Sequence, residues 1–179
     1  NTAVIFAGDN GYFHGEHGGL WDKRAAYEPV MRIPLIMRYP KFAGPGTNCQ
    51  ELVLNIDLAP TLLELAGVPI PSTMQGQSWL GALQGRPGRE SFLYEYFQEK
   101  GDKFKRPAVL AVRTKRWKYV TYPLDSSLTA ELYNLQADPE ELNNLIGDPK
   151  HAEMLNELKD ELEKLKQQTS FRFPEPARR

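Results

Sequence analysis

Asp9 and Asn10 close an apolar run, Thr2-Ala3-Val4-Ile5-Phe6-Ala7, and offer a carboxylate and an amide carbonyl side by side. Both are hard oxygen donors, the kind that Ca²⁺ and Mg²⁺ take, whereas zinc is more often held by His and Cys. Two oxygens complete neither shell. Asp-Asn-Gly after a strand is also a hairpin-turn signal. A hairpin needs a returning strand, however, and Tyr12-Phe13-His14-Gly15-Glu16-His17-Gly18-Gly19 brings polar groups and glycines instead.

Lys23 follows in Leu20-Trp21-Asp22-Lys23-Arg24. Alone it reads as a solvated surface charge. Beside a divalent ion it would complete an anion pocket, where both cations pull on the oxygens of a tetrahedral oxyanion and neutralise charge growing on the leaving oxygen. His14 and His17 do not join Asp9 in a zinc site, because neither a His-x-x-x-His spacing nor a further nitrogen ligand accompanies them. His17 is expected to donate a hydrogen bond in a substrate pocket, His14 to lie outside it, and His151 to sit on the surface. Cys49 is the single cysteine, which excludes an internal disulfide framework and a multi-Cys zinc site.

These residues need elements to hold them. The run at Thr2 to Ala7 and a second at Pro34-Leu35-Ile36-Met37-Arg38-Tyr39 read as buried strands on either side of an irregular loop. The first places Asp9 and Asn10 at its C-terminal end, where open α/β sheets bind ligands. Asp57 is expected to cap a helix through Ala66, with Pro60 in its first turn and Gly67 as its stop. A short helix is expected from Ser78 to Leu83. Strands are expected at Ser91 to Phe97, Ala108 to Thr114, Trp117 to Tyr122 and Glu131 to Leu135, forming an antiparallel sheet. From His151 to Gln168 the residues Met154, Leu155, Leu158, Leu162 and Leu165 recur at helical spacing and predict an amphipathic helix packed on that sheet. The pattern spans barely two heptads, which is short for a coiled coil. The chain thus divides into an α/β portion over 1–86, an α+β subdomain over 87–168 and a loose tail over 169–179.

A chain of 179 residues can bury a substantial core. Its 22 Lys and Arg against 23 Asp and Glu leave no basic excess for a phosphate backbone, so nucleic acid is not an expected partner. No apolar run reaches the roughly 20 residues that span a bilayer. A strand at Thr2 to Ala7 with nothing before it to bury it reads as the interior of a longer protein, and its unpaired edge would promote self-association.

The segments Gly8-Asp9-Asn10-Gly11-Tyr12, Gly15-Glu16-His17-Gly18, Leu20-Trp21-Asp22-Lys23-Arg24 and Tyr27-Glu28 resemble the type I, formylglycine-dependent sulfatases. So do Arg32-Ile33-Pro34-Leu35-Ile36, Asp57-Leu58-Ala59-Pro60-Thr61-Leu62-Leu63, Leu65-Ala66-Gly67 and Gly76-Gln77-Ser78. Near the end, Arg113-Thr114, Trp117-Lys118-Tyr119, Glu131-Leu132-Tyr133-Asn134-Leu135 and Asp138-Pro139-Glu140-Glu141 are similar to that family's C-terminal subdomain. Tyr94-Glu95-Tyr96-Phe97 and Arg106-Pro107 resemble the glucosamine-6-sulfatase-like members.

The resemblance implies the C-terminal part of an alkaline-phosphatase-like fold and hydrolysis of sulfate monoesters, with a carbohydrate as the expected carrier. It makes Asp9 and Asn10 two ligands of a metal, usually calcium with Mg²⁺ as the alternative. Lys23 would contact the sulfate and the leaving-group oxygen, with His17 and Arg24 at the pocket wall or on the substrate. The family's nucleophile is a formylglycine made within Cys/Ser-x-Pro/Ala-x-Arg. Asn48-Cys49-Gln50-Glu51-Leu52 has neither that Pro nor that Arg, so Cys49 is a bystander and no nucleophile is present. Two readings remain beside a sulfatase: a phosphonate or phosphate ester hydrolase of the same superfamily, and a non-catalytic domain or interaction module. The compartment stays open among periplasmic, secreted and lysosomal.

Overall fold

The computed structural model describes residues 2–98 and 106–174. Along the chain run β1 (Val4–Ala7), α1 (Glu16–Gly19), α2 (Glu28–Met31), β2 (Leu35–Arg38), α3 (Leu58–Leu65), α4 (Leu80–Leu83), β3 (Ser91–Tyr96), β4 (Val109–Thr114), β5 (Trp117–Thr121), β6 (Glu131–Asn134) and α5 (Ala152–Gln168). Short 3₁₀ turns at Asn55–Asp57 and Pro149–His151 lead into α3 and α5. The elements form two compact units. One holds the residues up to Asn10 together with Ile33–Glu90, the other Gly11–Arg32 together with the residues from Ser91 onward. The sequence reading has a single boundary near Arg86, whereas the chain also leaves the first unit after Asn10 and returns to it at Ile33.

In the first unit β1 and β2 pair antiparallel, with Phe6 opposite Ile36. Both were expected to be buried, yet Val4, Phe6 and Ile36 are 56%, 62% and 65% exposed. The β-branched and aromatic residues make the strand, but no layer among the described residues covers the ribbon. α3 begins and ends close to expectation, and Gly67 stops it at φ 70°. Asp57 is corrected: its side chain makes no cap to α3. The carboxylate instead accepts from Leu54 N at 2.7 Å and Gln77 N at 2.8 Å, and binds the Arg89 guanidinium with both oxygens. Buried at 1% exposure, it ties the entry of α3 to the loops on either side of α4.

The second unit is built on the antiparallel sheet β3-β4-β5-β6. Side chains alternate across a strand, so each strand serves two layers. On one face Val112, Trp117, Tyr119 and Leu132 meet Leu158, Leu162 and Leu165 of α5. Each such leucine, fully buried, contributes roughly 1.5–3 kcal/mol. On the other face Val109, Ala111 and Val120 meet Ala26, with Met31, Tyr94 and Tyr122 around them. The segment 11–32 is therefore the second cover of the sheet. His151 differs from its expected surface position: it is half-buried, its ring 5.5 Å from that of Trp117. Of the expected loose tail, 175–179 lies outside the described residues, while Phe171 and Phe173 pack with Phe97 at ring distances of 6.0 and 6.1 Å.

Candidate functional site

Asp9 and Asn10 follow β1 after Gly8, in the first unit. Asp9 is exposed; its Oδ1 accepts from the Asn10 amide at 2.8 Å, and its carbonyl accepts from Asn55 Nδ2 at 3.4 Å. The pair presents a carboxylate and an amide carbonyl at the end of the strand, with one carboxylate oxygen engaged by the neighbouring backbone amide. It is not a tight hairpin: the strand that returns to β1 is β2, with Leu35 opposite Ala7, so 27 residues intervene. Gly11 is required for another reason: a Cβ there would lie 2.0 Å from the Pro29 carbonyl oxygen. Among the described residues, no three His, Cys, Asp or Glu side chains gather as a metal-ligand set.

His17, Lys23 and Arg24 belong to the second unit. Their segment folds back on itself through Gly11 N to Val30 O (2.7 Å), Phe13 N to Asp22 O (2.9 Å) and Gly15 N to Leu20 O (2.9 Å). Its tip, α1, is a turn rather than a regular helix: His17 and Gly18 have φ of 50° and 81°. Positive φ is tolerated better by His than by most residues. Phe13, wholly buried, anchors the loop beneath.

Asp22 organises the two cations. It is 6% exposed, and its Oδ1 accepts from Lys23 N at 2.6 Å, from Arg24 N at 3.2 Å and from Arg24 Nη1 at 3.0 Å. Its Oδ2 takes Arg106 Nε at 2.7 Å. Burial works against the charge on Asp22, but the Lys23 amide and the two guanidiniums outweigh it and hold the carboxyl below its ordinary value. The side chain thus stays anionic at neutral pH. A cleft lined by Phe13, Leu20, Asp22, Arg24, Arg106 and Tyr122 adjoins this turn. Lys23 itself is exposed. His14 is exposed too, its ring 5.7 Å from Trp21.

Behind the loop lie groups to which sequence reading gave no role. Glu131 on β6 accepts from Tyr27 and Tyr133 hydroxyls at 2.8 Å each, and from the Tyr122 hydroxyl. His17 lies flat on Tyr27, with ring centroids 4.2 Å apart and planes at 25°. Lys118, fully buried, donates to Glu141 at 2.5 Å and pairs with Glu28 at 2.9 Å; Arg113 also holds Glu28, at 3.1 Å. Tyr27, Glu28 and Glu131 stand in motifs, but their partners are 104 and 85 residues away, beyond any local signal.

Comparison with known proteins gives the family. The family model "N-sulphoglucosamine sulphohydrolase, C-terminal" matches residues 15–168. An N-acetylglucosamine-6-O-sulfatase of Bacteroides thetaiotaomicron is 35% identical over 98% of this chain. A protein solved in complex with its substrate D-glucosamine-2-N,6-O-disulfate superposes with a TM-score of 0.88 at 33% identity, covering 98% of this chain and 36% of that one. A phosphonate monoester hydrolase from Silicibacter pomeroyi superposes with a TM-score of 0.79 at 27% identity, over 93% of this chain and 35% of that one. The chain spans about a third of the relatives it matches, 32% of the Bacteroides sulfatase. Its α/β architecture, with antiparallel sheets and a C-terminal helix on the second, is that of alkaline-phosphatase-like sulfatase structures. On residues 15–168 and on this breadth of likeness, the chain belongs to the sulfatase family.

Proposed function

We propose that this chain contributes one side of a sulfate monoester site, acting on a sulfated amino sugar, and leaves the nucleophile to a formylglycine that it does not carry. The observation that carries the reading is the buried Asp22 carboxylate, which pins the backbone of Lys23 and Arg24 and sets two cations on one turn. An anionic substrate would meet the Lys23 and Arg24 charges on a turn whose backbone Asp22 already holds, which reduces the reorganisation needed during reaction. Lys23 contacts the sulfate and the leaving-group oxygen, stabilising negative charge as the ester bond breaks. Arg24 binds the substrate from the same turn, and His17 donates a hydrogen bond at the pocket wall.

Asp9 and Asn10 fit a hard divalent cation, Ca²⁺ or Mg²⁺, because the oxygens they present after β1 are the donors such ions take. Such an ion, when bound, polarises a sulfate oxygen as a Lewis acid. The amino-sugar substrate is supported by the sulfatase relative and by the disulfated glucosamine held by the solved neighbour. A phosphonate or phosphate monoester is the second reading, favoured by the hydrolase neighbour, since metal and lysine serve either anion.

The test joins this segment to a formylglycine-bearing segment of the family and compares 6-sulfated N-acetylglucosamine with a phosphonate monoester. A higher kcat/KM for the sulfate is expected; a preference for the phosphonate would install the second reading. The 179-residue chain alone is expected not to turn over an aryl sulfate. Hydrolysis that survives repurification would sink the division of labour.

A further inference from the structure

Glu131 gathers three phenols onto one carboxylate. Tyr27 reaches it from the loop, Tyr122 from the end of β5, and Tyr133 from its own strand. A carboxylate has about four lone-pair directions, so three donors nearly fill it. Burial, then the adjacent Glu131 charge, pushes the Tyr27 hydroxyl well above its ordinary pKa, which keeps it a donor throughout the physiological range. The strand alternation that sends Leu132 toward α5 sends Glu131 and Tyr133 to the face covered by 11–32.

Two site features end on this hub. The Tyr27 ring is the plane on which the His17 imidazole lies, 4.2 Å away, while Phe13 meets His17 edge-on at 5.6 Å. The Tyr122 ring lines the cleft that Asp22 and Arg24 share. His17 sits among Gly15, Gly18 and Gly19, all with positive φ, so its own backbone neighbours restrain it little. Its orientation depends on the rings beneath it.

We propose that Glu131 is a positioning residue for this site: through the Tyr27 hydroxyl it fixes the plane that carries His17, and through Tyr122 it fixes a wall of the adjacent cleft. The catalytic meaning of the contact rests on reading His17 as a pocket residue; the contact itself does not.

Selective ¹³C labelling of the three histidines, with His17→Gln to assign the signal, tests this on the whole chain. In the unsubstituted protein the His17 ring proton is expected to resonate upfield, shielded by the stacked Tyr27 ring. Glu131→Gln leaves one acceptor oxygen for three hydroxyls and is expected to move that signal downfield. Tyr27→Phe keeps the ring and removes only the hydroxyl, so it is expected to shift the signal the same way without unfolding the sheet. Ser91→Ala, which breaks the Ser91 to Glu161 hydrogen bond elsewhere in the unit, is expected to leave it in place. A His17 signal unmoved in both Glu131→Gln and Tyr27→Phe, each folded by circular dichroism, would overturn the proposal. Whether His17→Ala then lowers sulfate release in the joined enzyme judges the functional reading separately.

Discussion

Lys118 donates to Glu141 at 2.5 Å with both side chains shut off from solvent, so the second unit buries an ion pair between a strand and a loop 23 residues later. Glu141 has φ 56° and also accepts from the Glu28 amide at 2.7 Å. Removing one partner strands the other charge. Lys118→Met is therefore expected to cost about 3–5 kcal/mol, the usual penalty for breaking a buried pair. Urea unfolding measures it, and a loss below about 1 kcal/mol, the range of an exposed pair, would mean that water reaches the pair.

Glu28 and Glu141 share Lys118 yet shift in opposite directions. Burial pushes the Glu141 carboxyl up, and its single cation does not overcome that. At Glu28 burial acts the same way, but Lys118 and Arg113 together prevail and hold it below its ordinary value of 4.5. A depressed folded pKa gives stability that is present above the unfolded value and is lost as pH falls through the folded one. Glu28→Gln should therefore lower the melting temperature at pH 7 and narrow its gap to the parent protein as pH drops below 4.5. A gap that stays constant down to pH 2 would show that Glu28 acts by shape alone.

Much of this was legible in the sequence where the cause is local. The α5 leucines and the strands β3 to β6 follow periodicity, because each element buries one stripe or alternates between two layers. That His17, Lys23 and Arg24 share one loop follows from their closeness in sequence; their roles are proposed. The Asp57 carboxylate was misread as a cap, since the competing donors Gln77 N and Arg89 lie 20 and 32 residues away. The 104-residue separation of Tyr27 and Glu131 hid that contact and the role of 11–32 as a sheet cover. Burial of β1 was misjudged because an apolar run specifies a strand but not the layer that covers it.

Phe6 and Ile36 face each other across the β1–β2 ribbon and remain mostly exposed, and among the described residues each strand keeps an unpaired edge. Such edges template association. Sedimentation velocity on this chain should show oligomers that grow with concentration and recede in Phe6→Lys/Ile36→Lys. A strictly monomeric parent protein at all concentrations would contradict this.

Calcium titrated calorimetrically into this chain should bind on the order of 10⁻³ M or weaker, because affinity rises with the number and charge of oxygen ligands and, among the described residues, no group of three His, Cys, Asp or Glu side chains surrounds Asp9 and Asn10. Tight stoichiometric binding, abolished by Asp9→Ala, would mean that further residues of the chain complete the shell.

The central claim is that Lys23, held by Asp22, stabilises the leaving side of a sulfate ester. Its most direct test is sulfate release from 6-sulfated N-acetylglucosamine by this segment joined to a formylglycine-bearing segment, with and without Lys23→Ala. The expected result is a fall in kcat of roughly 10²–10³-fold, the cost of removing one preorganised donor to developing charge. An unchanged kcat in Lys23→Ala would contradict the account.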